Sequence, residues 1–375
     1  MMDTLSKLQA LSDASQYDLA CACGTRKGDD HRTRAKDGTW LYPVSLPRGG
    51  TSIMLKTLMS NVCINDCKYC PYRDSQDVPR CTIGPDELVK QFLEYVRRKQ
   101  VIGMFLSSGV VGTPDRTMAL LTDTARILRN RHRYRGYIHL KIIPGASDGA
   151  IDEALKLASS VSLNIETPGE NRFKQLSNRK RYLEDIIRPM KRISALTAKG
   201  AQFSKVRQTT QFIVGASDET DAEIVRYTGS LYKKLHMGRV YFSAYQHGLG
   251  DRSIPGEKAS LNRKGAEHLM REHRLYQVDF LMRQYRFGAE DIMFDSQGAL
   301  SLDTDPKLVW ARQHPEFFPV NINRADKFTL LRVPGIGPLS ARRILAMRKE
   351  SRISRVDNMP MRGAWLERAR KYVEV

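Results

Sequence analysis

No stretch of this chain approaches the roughly 18 consecutive apolar residues of a membrane-spanning helix, so no span is expected. The opening residues, Met1-Met2-Asp3-Thr4-Leu5-Ser6-Lys7, lack the basic-then-apolar order of a secretory signal, which points to the cytoplasm. Cysteine is sparse. Six in 375 residues do not make a disulfide scaffold in a reducing compartment, so metal binding or redox chemistry is the favoured use of the thiols. Internal repeats and low-complexity blocks are missing as well. Acidic residues are in short supply, 41 against 61 Lys plus Arg, for a net charge of +20. A field of that sign attracts polyanions, with nucleic acid as the default partner and simple solubility as the alternative.

What is there suits a folded protein: 41% hydrophobic and 27% charged residues, with length for a catalytic domain plus a smaller module. From about Thr51 to Gln246, short β-rich apolar runs alternate with amphipathic helical stretches. The pattern predicts strands at Ser52-Leu58, Val101-Ser107, Tyr137-Ile143, Val161-Ile165, Gln208-Val214 and Arg239-Ala244. Helices are predicted at Pro85-Lys99, Pro114-Arg129, Asp148-Ala158, Leu183-Ala198 and Glu219-Leu235. The fold class is therefore α/β: a partial (β/α)6 barrel of the TIM type, followed by a small all-α module. A long helix over Asn262-Tyr285 is expected to close the barrel. Turn signals from Asp303 to Glu316 put a domain joint near residues 305–320. This gives an N-terminal extension (1–50) of undetermined role, a barrel (51–305) and a C-terminal domain (318–375).

The chemistry concentrates in Cys63-Ile64-Asn65-Asp66-Cys67-Lys68-Tyr69-Cys70, which follows the first predicted barrel strand. Three thiolates ligate three irons of a cubane cluster and leave the fourth open to an outside chelating ligand. The loop would sit where βα-loops build active sites. The rival is zinc, with Cys81 as a fourth ligand, although paired Cys-x2-Cys knuckles are absent. Cys81 otherwise reads as a packing residue, and the Cys21-x-Cys23 pair as free thiols.

This Cys-x3-Cys-x2-Cys loop, with Tyr69 before its last cysteine, resembles the signature of the radical S-adenosylmethionine (SAM) superfamily. The resemblance implies a [4Fe-4S] cluster on Cys63, Cys67 and Cys70 that reductively cleaves SAM to methionine and a 5'-deoxyadenosyl radical. It also implies an electron donor such as flavodoxin or ferredoxin. Tyr69 would meet the adenine. Ser107-Ser108-Gly109 stand where the family binds the SAM amine with Gly-Gly-Glu, so carbonyls or serine hydroxyls take that role here. Asn164 and Glu166 are candidate ribose ligands, and Gly215 lies in a segment like the one on which adenine packs. His139, Lys141, Tyr245 and His247 are weaker candidates for facing a substrate.

Residues 320–375 hold thirteen Lys/Arg against five acids. Within them Val333-Pro334-Gly335-Ile336-Gly337, flanked by helical stretches, resembles a helix-hairpin-helix module. Gly335 and Gly337 would free backbone N–H groups at a helix N-terminus for a phosphate, with Arg342 and Arg343 adding charge. Such contacts grip a duplex without reading it. Residues 353–375 read as a degenerate second copy.

The triplet followed by this module is similar to a family of DNA modification/repair radical SAM proteins. Further matching segments are Asn61-Val62-Cys63-Ile64-Asn65-Asp66-Cys67, Phe105-Leu106-Ser107-Ser108-Gly109-Val110, Gly136-Tyr137-Ile138-His139-Leu140-Lys141 and Glu272-His273-Arg274-Leu275-Tyr276-Gln277. The resemblance implies a uracil-DNA-glycosylase-like partner protein and an unassigned reaction on DNA. RNA or tRNA modification is the second enzymatic reading, and a metal-stabilised DNA-binding protein without catalysis is the alternative of another class.

Overall fold

The structure, a computed structural model, describes residues 2–18, 32–45, 50–259 and 265–375, so Cys21 and Cys23 lie outside the described residues. Eight strands form one sheet in consecutive order: β1 (Thr33–Arg34), β2 (Trp40–Ser45), β3 (Thr51–Leu58), β4 (Gly103–Ser107), β5 (Tyr137–Lys141), β6 (Ser160–Ser162), β7 (Arg207–Val214) and β8 (Arg239–Ala244). Strands β3 to β8 are the six expected ones, and each pairs in parallel with the next. Helices connect them, as parallel neighbours require.

The sheet begins earlier than expected. Strands β1 and β2 add an antiparallel edge from within the N-terminal 50 residues. Pro43 hides β2 from sequence reading, because proline cannot donate to a ladder and so argues against a central strand. At an edge it is tolerated, opposite Ile53. Strand β6 is shorter than expected for two visible reasons. Ile165 gives its N–H to Thr210 Oγ1 (3.0 Å), and Glu166 turns into the left-handed region at φ 65°.

Most connecting helices begin where expected. Thr113 caps Pro114–Arg126 by accepting from Arg116 N (3.1 Å), and Ser147 does the same for Asp148–Leu157. The helix expected from Leu183 instead starts as a π turn, Tyr182–Ile187, before Arg188–Thr197. Pro189 has no N–H for the carbonyl four residues back, which favours the wider turn. Helices that escaped the sequence pattern include Thr4–Ala14, capped by Asp3, Glu170–Leu176 and Pro255–Ala259.

The chain forms two compact units, Met1–Glu219 with Ser230–Leu269 and Thr220–Gly229 with Met270–Val375. The first contains the sheet. On β5, Ile138 and Leu140 are fully buried on one face, while His139 and Lys141 line the other. Register puts Lys56, Phe105 and His139 in one row across β3 to β5, with the last two rings 4.2 Å apart. The sheet therefore has one apolar face and one carrying polar and aromatic side chains.

The second unit holds helices Pro306–Gln313, Lys327–Arg332, Pro338–Glu350 and Ala364–Arg370. It is not all-α, because Val320–Asn321 and Val373–Glu374 pair as short parallel strands. The turn signal at Asp305 proves to be a helix cap, accepting from Leu308 N (3.0 Å). That helix buries Trp310 among Phe287, His314, Phe317 and Phe318. Among the described residues, no helix is long and apolar enough to cross a membrane.

Lys307, on the same helix, is buried and donates to Ile336 O (2.6 Å). Burial lowers its pKa to about 7, against the pull of Asp305. Between about pH 7 and 10.5 the folded chain thus binds fewer protons here than the unfolded chain, so the stability contribution at Lys307 rises with pH. The cost of the buried charge is present below that window and gone above it. Lys307→Met removes this cost, so its melting temperature relative to wild type is expected to be highest near about pH 6 and to fall toward about pH 10. Thermal unfolding at a series of pH values measures this.

Candidate functional site

The cysteine loop leaves the end of β3 and is held by a clamp outside the triplet. Arg80 donates to the carbonyls of Asn61, Tyr72 (2.9 Å), Arg73 (2.9 Å) and Gln76 (2.9 Å). Asn61 adds bonds to Pro79 O (2.9 Å) and from Cys81 N (2.8 Å). The Cys81 backbone is thus an anchor of the loop, and the charged neighbour of its thiol is Lys7 rather than the triplet. Removing the Arg80 guanidinium leaves these buried carbonyls unpaired. Arg80→Ala is expected to weaken iron retention roughly tenfold, read as iron per chain after desalting.

Backbone N–H groups already point at the sulfurs. Asn65 N and Val110 N reach Cys63 Sγ (both 3.4 Å), and Tyr72 N reaches Cys70 Sγ (3.4 Å). Burial, reinforced by the neighbouring Cys67, pushes the Cys70 thiol up to about 12, and burial raises Cys67 as well. Iron loading must therefore displace protons from this loop. Among the described residues, no three His, Cys, Asp or Glu groups converge as they would on a single ion. A cubane spreads its three thiolates over three irons, so the triplet suits a cluster better than zinc.

Close backbone approach sets the neighbouring wall. Gly109 donates to Ser60 O (2.7 Å), and a Cβ there would lie 2.4 Å from Val62 O and 3.2 Å from Cys63 Cβ. Ser107 accepts from Met59 N through its carbonyl (2.8 Å). Ser108 stays half-buried beside them. The end of β4 is thereby packed directly on the cysteine loop.

Tyr69, Asn164 and Glu166 come together. The Tyr69 hydroxyl donates to Glu166 Oε1 (2.6 Å), and Asn164 Nδ2 lies 3.4 Å from Glu166 Oε2. Burial and the Glu166 charge hold the phenol well above its ordinary pKa, so it stays a donor. Ile213 N bonds Glu166 O (2.8 Å), bringing in the end of β7, where Gly215 adopts φ 86° and donates to Glu219 Oε1 (2.6 Å). The Tyr69 ring packs on Leu176, Ala216, Tyr245 and Ile254.

Other expected residues have structural partners. His139 bonds Ser162 Oγ (2.8 Å). Tyr245 and His247 both bind Glu257, which also accepts from Gly248 N (2.9 Å) and Gly250 N (3.0 Å) and so ties up the loop after β8. Glu257, Arg73 and Lys180 belong to no motif that sequence reading tests, and Asp66 lies within the cysteine motif without a role assigned to it. Arg73 is buried, donates to Cys70 O and Leu249 O (both 3.0 Å), and keeps a buried Nε without a partner among the described residues. An unsatisfied cationic donor on a side chain that bonds the Cys70 carbonyl fits a site that receives an anionic ligand.

In the second unit, Gly335 adopts φ 90° in the turn between helices Lys327–Arg332 and Pro338–Glu350. Gly337 is the N-cap of the second helix, and Arg342 and Arg343 are exposed on it.

With this geometry in hand, comparison with known proteins is informative. Residues 57–228 match the Radical SAM superfamily. No curated protein matches the chain. Similar solved structures include the FeFe-hydrogenase maturase HydG from Carboxydothermus hydrogenoformans, 18% identical with a TM-score of 0.47 over 60% of this chain and 51% of that one. Methylornithine synthase is 12% identical with a TM-score of 0.44, over 60% of this chain and 62% of that one. Streptococcus suis SuiB is 12% identical with a TM-score of 0.45, over 64% of this chain and 48% of that one. The chain thus spans about half to three-fifths of the length of these three proteins.

Proposed function

We propose that the protein, whose residues 57–228 match the Radical SAM superfamily, is a radical SAM enzyme that modifies or repairs DNA. The observation that carries the enzymatic part is the three-thiol loop with N–H groups aimed at its sulfurs. Cys63, Cys67 and Cys70 would hold a [4Fe-4S] cluster, which with bound SAM supplies a 5'-deoxyadenosyl radical for hydrogen abstraction. Around it, Ser107, Ser108 and Gly109 take the amine end of SAM, while Asn164 and Glu166 accept from the ribose hydroxyls. Tyr69 and Gly215 border the adenine.

The DNA part rests on the excess of eight positive charges in residues 320–375 and on the glycine turn that opens helix Pro338–Glu350. Gly335 and Gly337 expose N–H groups to a phosphate as a helix-hairpin-helix does, and Arg342 and Arg343 add charge. A base drawn out of the stack would give the radical access to its C–H bonds.

The test is anaerobic reconstitution with iron and sulfide, reduction and addition of SAM. A visible cluster band and 5'-deoxyadenosine are expected; the absence of both would sink the enzymatic reading. Binding to duplex DNA, single-stranded DNA and tRNA at two salt concentrations then tests the substrate. Duplex preference with steep salt dependence is expected, and preference for tRNA would move the assignment to RNA.

A further inference from the structure

Lys180 is a buried lysine that no motif accounts for. Its ammonium lies over the rings of Tyr69 (5.8 Å) and Phe173 (5.3 Å), and the groups that act on it electrostatically include Cys67 and Glu166. Taking an ammonium out of water is costly unless the surroundings supply negative charge. Glu166 supplies some, and thiolates on a loaded cluster would supply more.

The placement is built by the cysteine loop itself. Asp66, inside the triplet, accepts from Ser177 Oγ (2.5 Å), Asn178 N (2.8 Å) and Arg179 N (3.4 Å). Lys68 N donates to Leu176 O (2.8 Å), and Lys180 N to Ser177 Oγ (3.3 Å). Arg179 closes the join from the other side, on Ile64 O and Asp74 (2.6 Å). Residues 176–180 are thus stitched to residues 64–74 at six places, and Lys180 cannot leave the sulfurs without breaking that seam.

We propose that Lys180 is a positioning residue for the cluster: its fixed, buried positive charge raises the reduction potential, so that the one-electron donor can reduce it. This rests on the triplet holding a [4Fe-4S] cluster. In the step concerned, one electron passes from the donor, which is oxidised, to the cluster, and no bond forms or breaks. The cluster and its thiolates gain one negative charge, and a nearby cation stabilises that reduced form more than the oxidised one.

The experiment is a redox titration of the reconstituted full-length protein with dithionite, followed by EPR, for wild type, Lys180→Met and Lys180→Arg, with iron counted in each. Lys180→Met is expected to retain iron but hold about tenfold less reduced cluster at a given potential, equivalent to about 59 mV for a one-electron couple. Lys180→Arg is expected to titrate close to wild type, since it keeps the charge. Coincident curves for wild type and Lys180→Met at equal iron content would overturn the assignment. If Lys180→Met binds no iron, Lys180→Gln takes its place, and the assignment is wrong if the iron-bearing neutral variant titrates with wild type. A wild-type protein that forms no cluster would instead remove the reading of the triplet on which this rests.

Discussion

Cys67→Ala is expected to take the visible absorption of the reconstituted protein and its formation of 5'-deoxyadenosine to background, while Cys81→Ala leaves both near wild type. The two residues are a matched pair. Both carry free thiols on or beside the same loop, and in both cases alanine removes little more than a sulfur. Their surroundings differ. Cys67 is half-buried, with Cys63, Cys70 and the ammonium of Lys180 in its electrostatic surroundings, whereas the charged group acting on the Cys81 thiol is Lys7, and Cys81 contributes its backbone N–H to Asn61. Loss of one of three thiolates leaves an iron without a protein ligand, and the backbone donors around Cys63 and Cys70 do not replace it. Circular dichroism should show both variants folded, because Arg80 holds the loop through carbonyls rather than through sulfur. Equal loss in the Cys81→Ala protein, with zinc recovered from the wild type, would restore the four-cysteine zinc site.

The six parallel strands were legible because each begins or ends a short β-rich run that alternates with an amphipathic helical stretch, with Ile138 and Leu140 on β5 the clearest apolar face. It missed β2, where Pro43 contradicts the local rule and only the edge position makes it acceptable. The cysteine triplet is legible because its three ligands lie within eight consecutive residues. Lys180 is not, since it lies 110 positions beyond Cys70 and reaches the sulfurs only through the turn that Asp66 holds. Glu166 occupies a middle ground. Its place at the end of the fourth barrel strand could be counted, but its left-handed backbone and its bond to Tyr69 depend on packing between distant segments. Interactions local in sequence were readable, and those closed by tertiary structure were not.

Gly335→Val is expected to cost the protein most of its affinity for duplex DNA while leaving cluster absorption intact, whereas Gly337→Ala is tolerated. At Gly335 the backbone sits at φ 90°, where a β-branched residue is a genuine outlier. A Cβ there would stand 2.4 Å from the Trp365 carbonyl oxygen and 3.1 Å from Ala369 N, both of them backbone atoms. The turn must therefore open, at a cost of roughly 1–3 kcal/mol for overpacking alone. Opening it moves the N–H groups that begin helix Pro338–Glu350 away from any phosphate they hold. Gly337 differs on both counts: its φ of −104° is ordinary, and its Cβ would meet only the Tyr285 hydroxyl at 3.5 Å. Removing charge rather than shape separates the two contributions. Arg342→Ala with Arg343→Ala should keep the fold, because both side chains are exposed, and lower the salt dependence of binding by about 0.9 log units for each phosphate no longer neutralised. Electrophoretic mobility or fluorescence anisotropy at several salt concentrations reads both effects. Wild-type affinity in Gly335→Val, with its altered turn confirmed by a lowered melting temperature, would move the DNA-binding surface away from this hairpin.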